Sequence, residues 1–138
     1  MTDEFALIER APTPEEYRNL RKTAGWFDID FYAMKVGLSN SQFSVCVIHN
    51  DKVIGCGRVI GDGGLYYYIQ DVIVLPGFQK RGLGKLIMDS IMKFFDENVQ
   101  PNTFIGLMAA KGQSNFYKQF GFNERPEYGP GMYLVWKK

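Results

Sequence analysis

The sequence has few of the residues that metal and redox sites need. It contains one histidine, His49, and two cysteines, Cys46 and Cys56, in 138 residues. Neither cysteine has a histidine close to it in sequence, so no metal-binding constellation is visible and no metal cofactor is expected. The cysteines lie on two runs that read as a hairpin, and a two- or four-residue loop would offset them by one register step. We therefore expect them to face opposite sides of the sheet as separate buried thiols.

Long apolar runs and an excess of one charge are also absent. No run approaches the ~18 residues of a membrane span, and acidic residues precede the first apolar stretch, unlike a signal peptide. The 16 basic and 15 acidic side chains leave a net charge of +1, which argues against a broad nucleic-acid or membrane surface. We expect one cytoplasmic domain over residues 1–138. The sequence leaves the oligomeric state open, with a homodimer as one alternative.

Local signals predict an ordered series of elements. Residues 5–10 read as a short strand, and Thr13 followed by Pro14 and Glu16 predicts a capped helix. A short helix is expected over 30–36, and three strands over 42–48, 53–60 and 65–75 predict an antiparallel meander. A helix over 84–98, a strand over 103–109, a helix over 114–120 capped by Ser114, and a strand over 132–136 complete the chain.

A glycine-rich basic turn stands between the third meander strand and the long helix. It reads Gln79-Lys80-Arg81-Gly82-Leu83-Gly84-Lys85. Unpaired N–H groups at a helix start, glycines and nearby cations form a site suited to pyrophosphate. Ile87 stands where a dinucleotide fingerprint needs its third glycine, and a Walker loop would need a different spacing and a hydroxyl. An ordinary strand-to-helix turn with solvated charges is the alternative.

Two motifs extend this interpretation to a family. The pattern Gln79-x-x-Gly82-x-Gly84, preceded by Val72-x-Val74-x-Pro76, resembles the acyl-CoA loop of the GNAT superfamily of N-acetyltransferases. A second block, Asn115-Phe116-Tyr117-Lys118-Gln119-Phe120-Gly121-Phe122, follows at the spacing that the family shows. The resemblance covers residues 43–136. It implies an α/β (α+β) fold with a mixed, mostly antiparallel sheet of six to seven strands flanked by about four helices.

The resemblance also implies the cosubstrate and its contacts. Acetyl-CoA would lie against main-chain groups of Ile73 and Val74, with Asn115 near the pantetheine or ribose-phosphate portion. The turn would bind the pyrophosphate through Gln79, Lys80, Arg81, Gly82, Leu83, Gly84 and Lys85.

Tyr117 is the candidate general acid, since it matches the family tyrosine that faces the sulfur of CoA. A phenol carries a proton at neutral pH and can donate it to a departing thiolate. The alternative role is that of a tyrosine packed on the core. The general base stays open, because Tyr68 stands near the position where some family members have a glutamate. The candidates are Asp28, Asp30, Glu124, Glu127, Asp71 (which could instead anchor its strand) and a water held by Tyr68.

The acceptor pocket is expected to be aromatic, which suits a small primary amine of the arylalkylamine type. Its candidate lining residues are Trp26, Phe27, Phe31 and Tyr68, with Tyr66, Tyr128 and Tyr133 as further members. The alternatives are an N-acetyltransferase that acts on proteins or peptides, and a non-catalytic module that binds or senses acyl-CoA.

Overall fold

The computed structural model describes residues 4–137, which form strands, helices and irregular segments. The strands are β1 Ala6–Ile8, β2 Phe43–His49, β3 Lys52–Gly61, β4 Tyr66–Val74 and β5 Phe104–Leu107. The helices are α1 Pro14–Thr23, α2 Phe31–Ser39, α3 Leu83–Asn98 and α4 Ser114–Lys118, and a short 3-10 turn covers Pro76–Phe78.

The five strands form one sheet in the order β1-β2-β3-β4-β5. The first four are antiparallel neighbours, and β5 pairs with β4 in parallel. The parallel pair follows from the strand–α3–strand connection, which returns the chain to the same edge of the sheet. The predicted fold class is therefore confirmed.

The expected number of strands, six to seven, is wrong for the part of the chain that the structure describes. The run 132–136 has the composition of a strand, but it forms no ladder, and Met132 and Tyr133 are 90% and 81% exposed. A β-rich composition favours a strand only where a neighbouring strand supplies hydrogen bonds.

Side-chain caps set the starts of the first two helices. Thr13 accepts a hydrogen bond from the backbone N–H of Glu16, and the Glu16 carboxylate accepts one from the N–H of Thr13. Asp30 accepts a hydrogen bond from the N–H of Ala33 at the start of α2. The cap of α1 was predicted, because its signal is contained in adjacent residues. For α2 only the helix itself was predicted, from residue 30, and the capping role of Asp30 was not.

The two cysteines face the same side of the sheet, so the predicted opposite orientation is wrong. Asn50 and Asp51 form a two-residue turn with positive φ angles, and the register then shifts by one residue at a bulge, which leaves Ile54 without a partner. Cys46 is thereby placed directly opposite Cys56, and directly opposed residues share a face. Both thiols are free and buried.

Helix α3 packs on the sheet above a glycine of β3. A Cβ at Gly57 would come within 2.5 Å of the Ile87 side chain and 3.1 Å of that of Ile91. Both isoleucines are fully buried. The absence of a side chain at Gly57 therefore lets the helix lie directly on the strand.

The chain divides into two compact units, the first ending at Leu107 and the second beginning at Met108. The second unit contains α4, whose N-cap is Gln113 rather than the expected Ser114. Ser114 is already helical, because the amides of Phe116 and Tyr117 bond to the carbonyl of Gln113. The single domain over 1–138 stays a prediction.

None of the helices formed by residues 4–137 is long and apolar enough to cross a membrane. The cytoplasmic location stays a prediction.

Candidate functional site

Two residues of the glycine-rich turn, separated by one position, adopt the left-handed backbone conformation. Lys80 has a φ of 64° and Gly82 a φ of 78°, and Gly82 is the N-cap of α3. No side chain caps this helix, so its first N–H groups stay available to a ligand. A Cβ built on Gly82 would meet no atom within 4 Å, which means that the space beside the backbone is open. These features fit a bound pyrophosphate.

The cations predicted around the turn are exposed. Lys80 and Arg81 lie on the surface, and the Arg81 guanidinium lies 5.7 Å from the centre of the Phe78 ring. Lys85 pairs with Asp89 at 2.8 Å, but both side chains are about half exposed. Exposed pairs of this kind contribute little, so Lys85 can exchange its partner for a phosphate at small cost. Leu83 is buried, and only its backbone can contact a ligand.

Strand β4 continues beyond the end of its parallel neighbour. The β5 partners of β4 run from Phe104, opposite Tyr66, to Leu107, opposite Ile69. The next five residues of β4 have no partner in β5, so their main-chain groups on that side can bind an extended ligand. Ile73 is buried through its side chain, and the Val74 carbonyl accepts a hydrogen bond from Gln79 Nε2 at 2.9 Å.

A bulge interrupts β4 at Asp71. Arg58 pairs with Gln70 and Cys56 with Ile73, so Gly57 alone opposes both Asp71 and Val72. Asp71 has a φ of 60°, a conformation in which aspartate is one of the few tolerated side chains.

A pocket of about 240 Å³ lies beside this part of β4, within the first unit. One wall comes from the end of β4 and the residues after it, and the other from the end of α1 and the residues that follow. The lining residues are Thr23, Ala24, Trp26, Val72, Ile73, Val74, Leu75, Pro76 and Gln79. Ile73, Val74, Gln79 and Trp26 were predicted site residues, and this pocket brings them together.

The other residues predicted for the acceptor pocket are not in its lining. Phe27 and Phe31 are 62% and 40% exposed, and Tyr68 lies on β4 opposite Gly106. Tyr66 is exposed in the first unit, and Tyr128 and Tyr133 are exposed in the second. Thr23 and Ala24 were missed, because nothing in the sequence relates the end of α1 to β4.

The carboxylates differ in whether they are available as a base. Asp71 Oδ2 accepts hydrogen bonds from Tyr17 Oη at 2.8 Å and Arg58 Nε at 2.7 Å, and Oδ1 accepts one from Gln70 Nε2 at 3.2 Å. Its side chain is only 1% exposed. These contacts support the anchoring alternative for Asp71, because a base needs a free lone pair directed at its substrate.

The remaining carboxylates are more accessible. Asp28 is exposed and pairs with Arg18 at 3.0 Å, while Asp30 caps α2. Glu124 and Glu127 are exposed in the second unit. The choice among these four and a bound water stays open.

Tyr117 and Asn115 lie on α4 in the second unit. The Tyr117 ring contacts Phe116 edge-on at 5.0 Å between centroids and Phe122 at 6.4 Å. Burial raises the pKa of Tyr117 above its ordinary value of 10.0. The phenol therefore keeps its proton at neutral pH, as a general acid must. Asn115 is exposed and can reach a ligand.

A family model described as an acetyltransferase (GNAT) domain matches residues 40–124. An uncharacterized N-acetyltransferase of Pyropia yezoensis, ycf52, is 30% identical over 122 residues, which cover 86% of this chain and 69% of that protein.

Solved structures resemble the chain over almost its whole length. A protein of unknown function from meticillin-resistant Staphylococcus aureus, a probable acetyltransferase, is 34% identical with a TM-score of 0.90, covering 96% of this chain and 100% of that one. The aminoglycoside N-acetyltransferase AAC(6')-Iy, solved in complex with CoA, is 15% identical with a TM-score of 0.67 and covers 100% of this chain and 97% of its own. At that identity the second likeness shows the fold alone.

Proposed function

The chain belongs to the GNAT acetyltransferase family and is an acyltransferase, and from this premise we propose that it moves an acetyl group from acetyl-CoA to a small primary amine. The observation that carries the proposal is the juxtaposition on β4. The strand extends past β5, borders a pocket and leads directly into the glycine-rich turn. An extended pantetheine arm and a pyrophosphate need these two features in this order.

Two groups of residues would hold the cosubstrate. The main chain of Ile73 and Val74 would pair with the pantetheine arm, and the amides from Gly82 to Gly84 would donate to the pyrophosphate. Lys80, Arg81 and Lys85 would add positive charge near the phosphates. Asn115 would supply a further polar contact.

Acetyl-CoA supplies the activated acetyl group as a thioester. The ammonium form of the acceptor first loses a proton to give the free amine. The nitrogen then forms a bond to the acetyl carbon and loses a second proton as the carbon–sulfur bond breaks, and the thiolate gains one proton. The net products are the amide, the CoA thiol and one released proton. An N–H of β4 would polarise the carbonyl, and Tyr117 would donate the proton to the thiolate. The group that accepts the proton from the amine is not assigned.

An acceptor with an apolar or aryl portion is supported by the aromatic segment that follows α1. Trp26 lines the pocket, and Phe27 and Phe31 are exposed nearby in sequence. Aromatic faces attract cations and stack on aryl groups, so they suit an arylalkylamine. An acceptor that is a peptide N-terminus or a lysine side chain would also carry an amine, and experiment must separate the two.

The test is the release of free CoA on mixing the protein with acetyl-CoA and a panel of arylalkylamines, polyamines, aminoglycosides and peptides. A thiol reagent can report the release, because burial raises the pKa of Cys46 to about 11 and that of Cys56 well above its ordinary value. The protein's own thiols should therefore react slowly and give a low background.

We expect turnover with arylalkylamines above the rate of spontaneous hydrolysis. Turnover with peptides alone would refute the small-amine acceptor. Binding of acetyl-CoA without turnover of any amine would favour the sensing module.

A further inference from the structure

A buried polar cluster joins α1 and β4, the two elements whose ends contribute the walls of the pocket. It consists of Tyr17 and Arg21 on α1, Arg58 on β3 and Asp71 on β4. Asp71 is the only acidic residue among 4–137 that is buried, at 3% exposure. Since burying a carboxylate is costly unless it is paired, its partners must be held in place.

The cluster joins three elements through one oxygen atom. Tyr17 Oη and Arg58 Nε both donate to Asp71 Oδ2, at 2.8 and 2.7 Å. Arg21 Nη1 donates to Tyr17 Oη at 3.4 Å, and its Nη2 donates to the Phe27 carbonyl at 2.9 Å. The last contact fastens the segment after α1 to the same cluster.

Each wall of the pocket consists of residues that follow a member of this cluster along the chain. Tyr17 and Arg21 lie on the helix whose end supplies Thr23 and Ala24, and the Arg21 guanidinium lies 5.2 Å from the ring centre of Trp26. On the other side, Asp71 directly precedes Val72, where the β4 wall begins. The hydrogen bond from Tyr17 to Asp71 therefore joins the helix that leads to one wall to the strand that leads to the other.

The left-handed backbone conformation of Asp71 indicates that the hydrogen bonds of the cluster hold β4 in position. A residue with φ near +60° at a bulge would ordinarily be glycine, which reaches this conformation without strain. A side chain persists there where its surroundings hold it in place. Here the carboxylate is held from α1, β3 and the neighbouring Gln70.

We propose that Tyr17, Asp71 and Arg58 form a positioning brace that sets the separation of α1 from the β4 bulge, and thereby the width of the channel for the pantetheine arm. The proposal rests on the proposed function, because it takes the pocket to be that channel. None of the three residues lines the pocket, so they act through the backbone that they hold. The turn at Gly82 lies outside the brace and is expected to bind pyrophosphate independently of it.

The test compares two ligands that differ only in the pantetheine arm. Calorimetry measures the affinity of CoA and of 3'-phospho-ADP, which keeps the pyrophosphate and lacks the arm. Tyr17→Phe removes one oxygen from the brace and substitutes none of the residues that line the pocket. We expect its affinity for CoA to fall roughly three- to tenfold, the range of one lost hydrogen bond, with its affinity for 3'-phospho-ADP unchanged.

Two further variants and a control define the outcome. Asp71→Asn and Asp71→Gly both tolerate the left-handed backbone but remove the charge or the whole side chain, and we expect the same selective loss of CoA affinity. Thr13→Ala removes the N-cap of the same helix, so it should lower the melting temperature without changing either affinity. In turnover assays, the brace variants should raise KM for acetyl-CoA more than they lower kcat.

The possible results separate the two proposals. If the unaltered protein binds neither ligand, the proposed function fails and the brace fails with it. If it binds both, and Tyr17→Phe weakens neither or weakens both equally, the brace is wrong while the proposed function stands. Tyr17→Phe decides the matter even if the Asp71 variants do not fold.

Discussion

At the scale of single residues, the chemical part of the proposal depends on Tyr117. Tyr117→Phe keeps the ring and its edge-on contacts with Phe116 and Phe122, and it removes the only proton that the side chain can donate. We predict that kcat falls by roughly ten- to a thousandfold, about 1.4–4 kcal/mol, while affinity for acetyl-CoA changes little. The measurement is kcat at saturating acetyl-CoA beside a thermal melt.

The same chemical change at an exposed tyrosine of α2 provides the control. Tyr32 is 72% exposed, so Tyr32→Phe should alter neither kcat nor stability. An unchanged kcat in folded Tyr117→Phe would remove Tyr117 from the mechanism.

The pH profile of kcat adds a second criterion. Because burial raises the pKa of Tyr117, activity that needs its proton should persist above pH 10 before it declines.

At the scale of elements, the start of α3 determines whether the turn can accept a pyrophosphate. Gly84 is the second residue of this helix, and Gly84→Val would place a branched side chain beside the N–H groups that the ligand must approach. We predict a loss of affinity of at least tenfold for both acetyl-CoA and 3'-phospho-ADP, or about 1.4 kcal/mol. Calorimetry on folded protein provides the measurement.

Gly77 offers a matched control in the same connection. It lies in the 3-10 turn, and a Cβ built there would meet nothing within 4 Å. Gly77→Val should therefore leave both affinities unchanged. If Gly84→Val binds as tightly as Gly77→Val, the assignment of the turn to the pyrophosphate is wrong.

The capping box of α1 predicts a dependence of stability on pH. The hydrogen bond from Arg10, followed by that from the Thr13 amide, holds the pKa of Glu16 below its ordinary value of 4.5. A lowered carboxyl pKa stabilises the folded state at pH values above the ordinary value, and this contribution is lost as the pH falls through the folded-state pKa. Acid should therefore weaken the start of this helix.

Glu16→Gln tests this dependence, because glutamine keeps an acceptor for the cap and lacks the charge. We predict that the variant is less stable than the unaltered protein at pH 7, by about 0.2–1 kcal/mol. The difference should shrink as the pH falls, because Glu16 then becomes protonated. Thermal melts from pH 7 to pH 3 check the trend, with Glu15→Gln, which removes a charge from the same helical turn, as the matched control.

At the scale of the whole molecule, the net charge of +1 means that attraction for a CoA anion must come from the local cations of the turn. We predict that CoA, at a concentration one hundred times its Kd at low salt, stabilises the protein by about 2.7 kcal/mol, which is visible as a higher melting temperature. At the same CoA concentration, added salt should reduce this stabilisation, because exposed charges are screened over about 10 Å at 0.1 M. Melts at low and high salt, with and without CoA, measure it. An equal shift at both would mean that the cations contribute nothing.

Much of the fold was predictable from neighbouring residues. The capping box of α1, the glycine-rich turn before α3 and the turns of the antiparallel meander each depend on residues that are close together in sequence. The superfamily was predicted from the resemblance of two motifs, and the family model confirmed it, while the role of the turn as an acyl-CoA loop stays a prediction. Short-range physical rules predict a helix cap or a turn, because the residues that form it are neighbours in sequence.

The tertiary structure alone decided the features that depend on distant residues. A bulge at Ile54 placed Cys46 opposite Cys56, and a register error of one residue reverses which side of the sheet a side chain faces. Segment 132–136 has the composition of a strand but forms none, since a strand needs a partner. Two features arise only when α1, β3 and β4 pack together. One is the pocket wall at Thr23 and Ala24, and the other is the set of hydrogen bonds that join Tyr17 and Arg58 to Asp71.

The sequence by itself determined the local elements and the family. Packing determined the site, because contacts between residues that are 54 positions apart in the chain, as Tyr17 and Asp71 are, have no local signature.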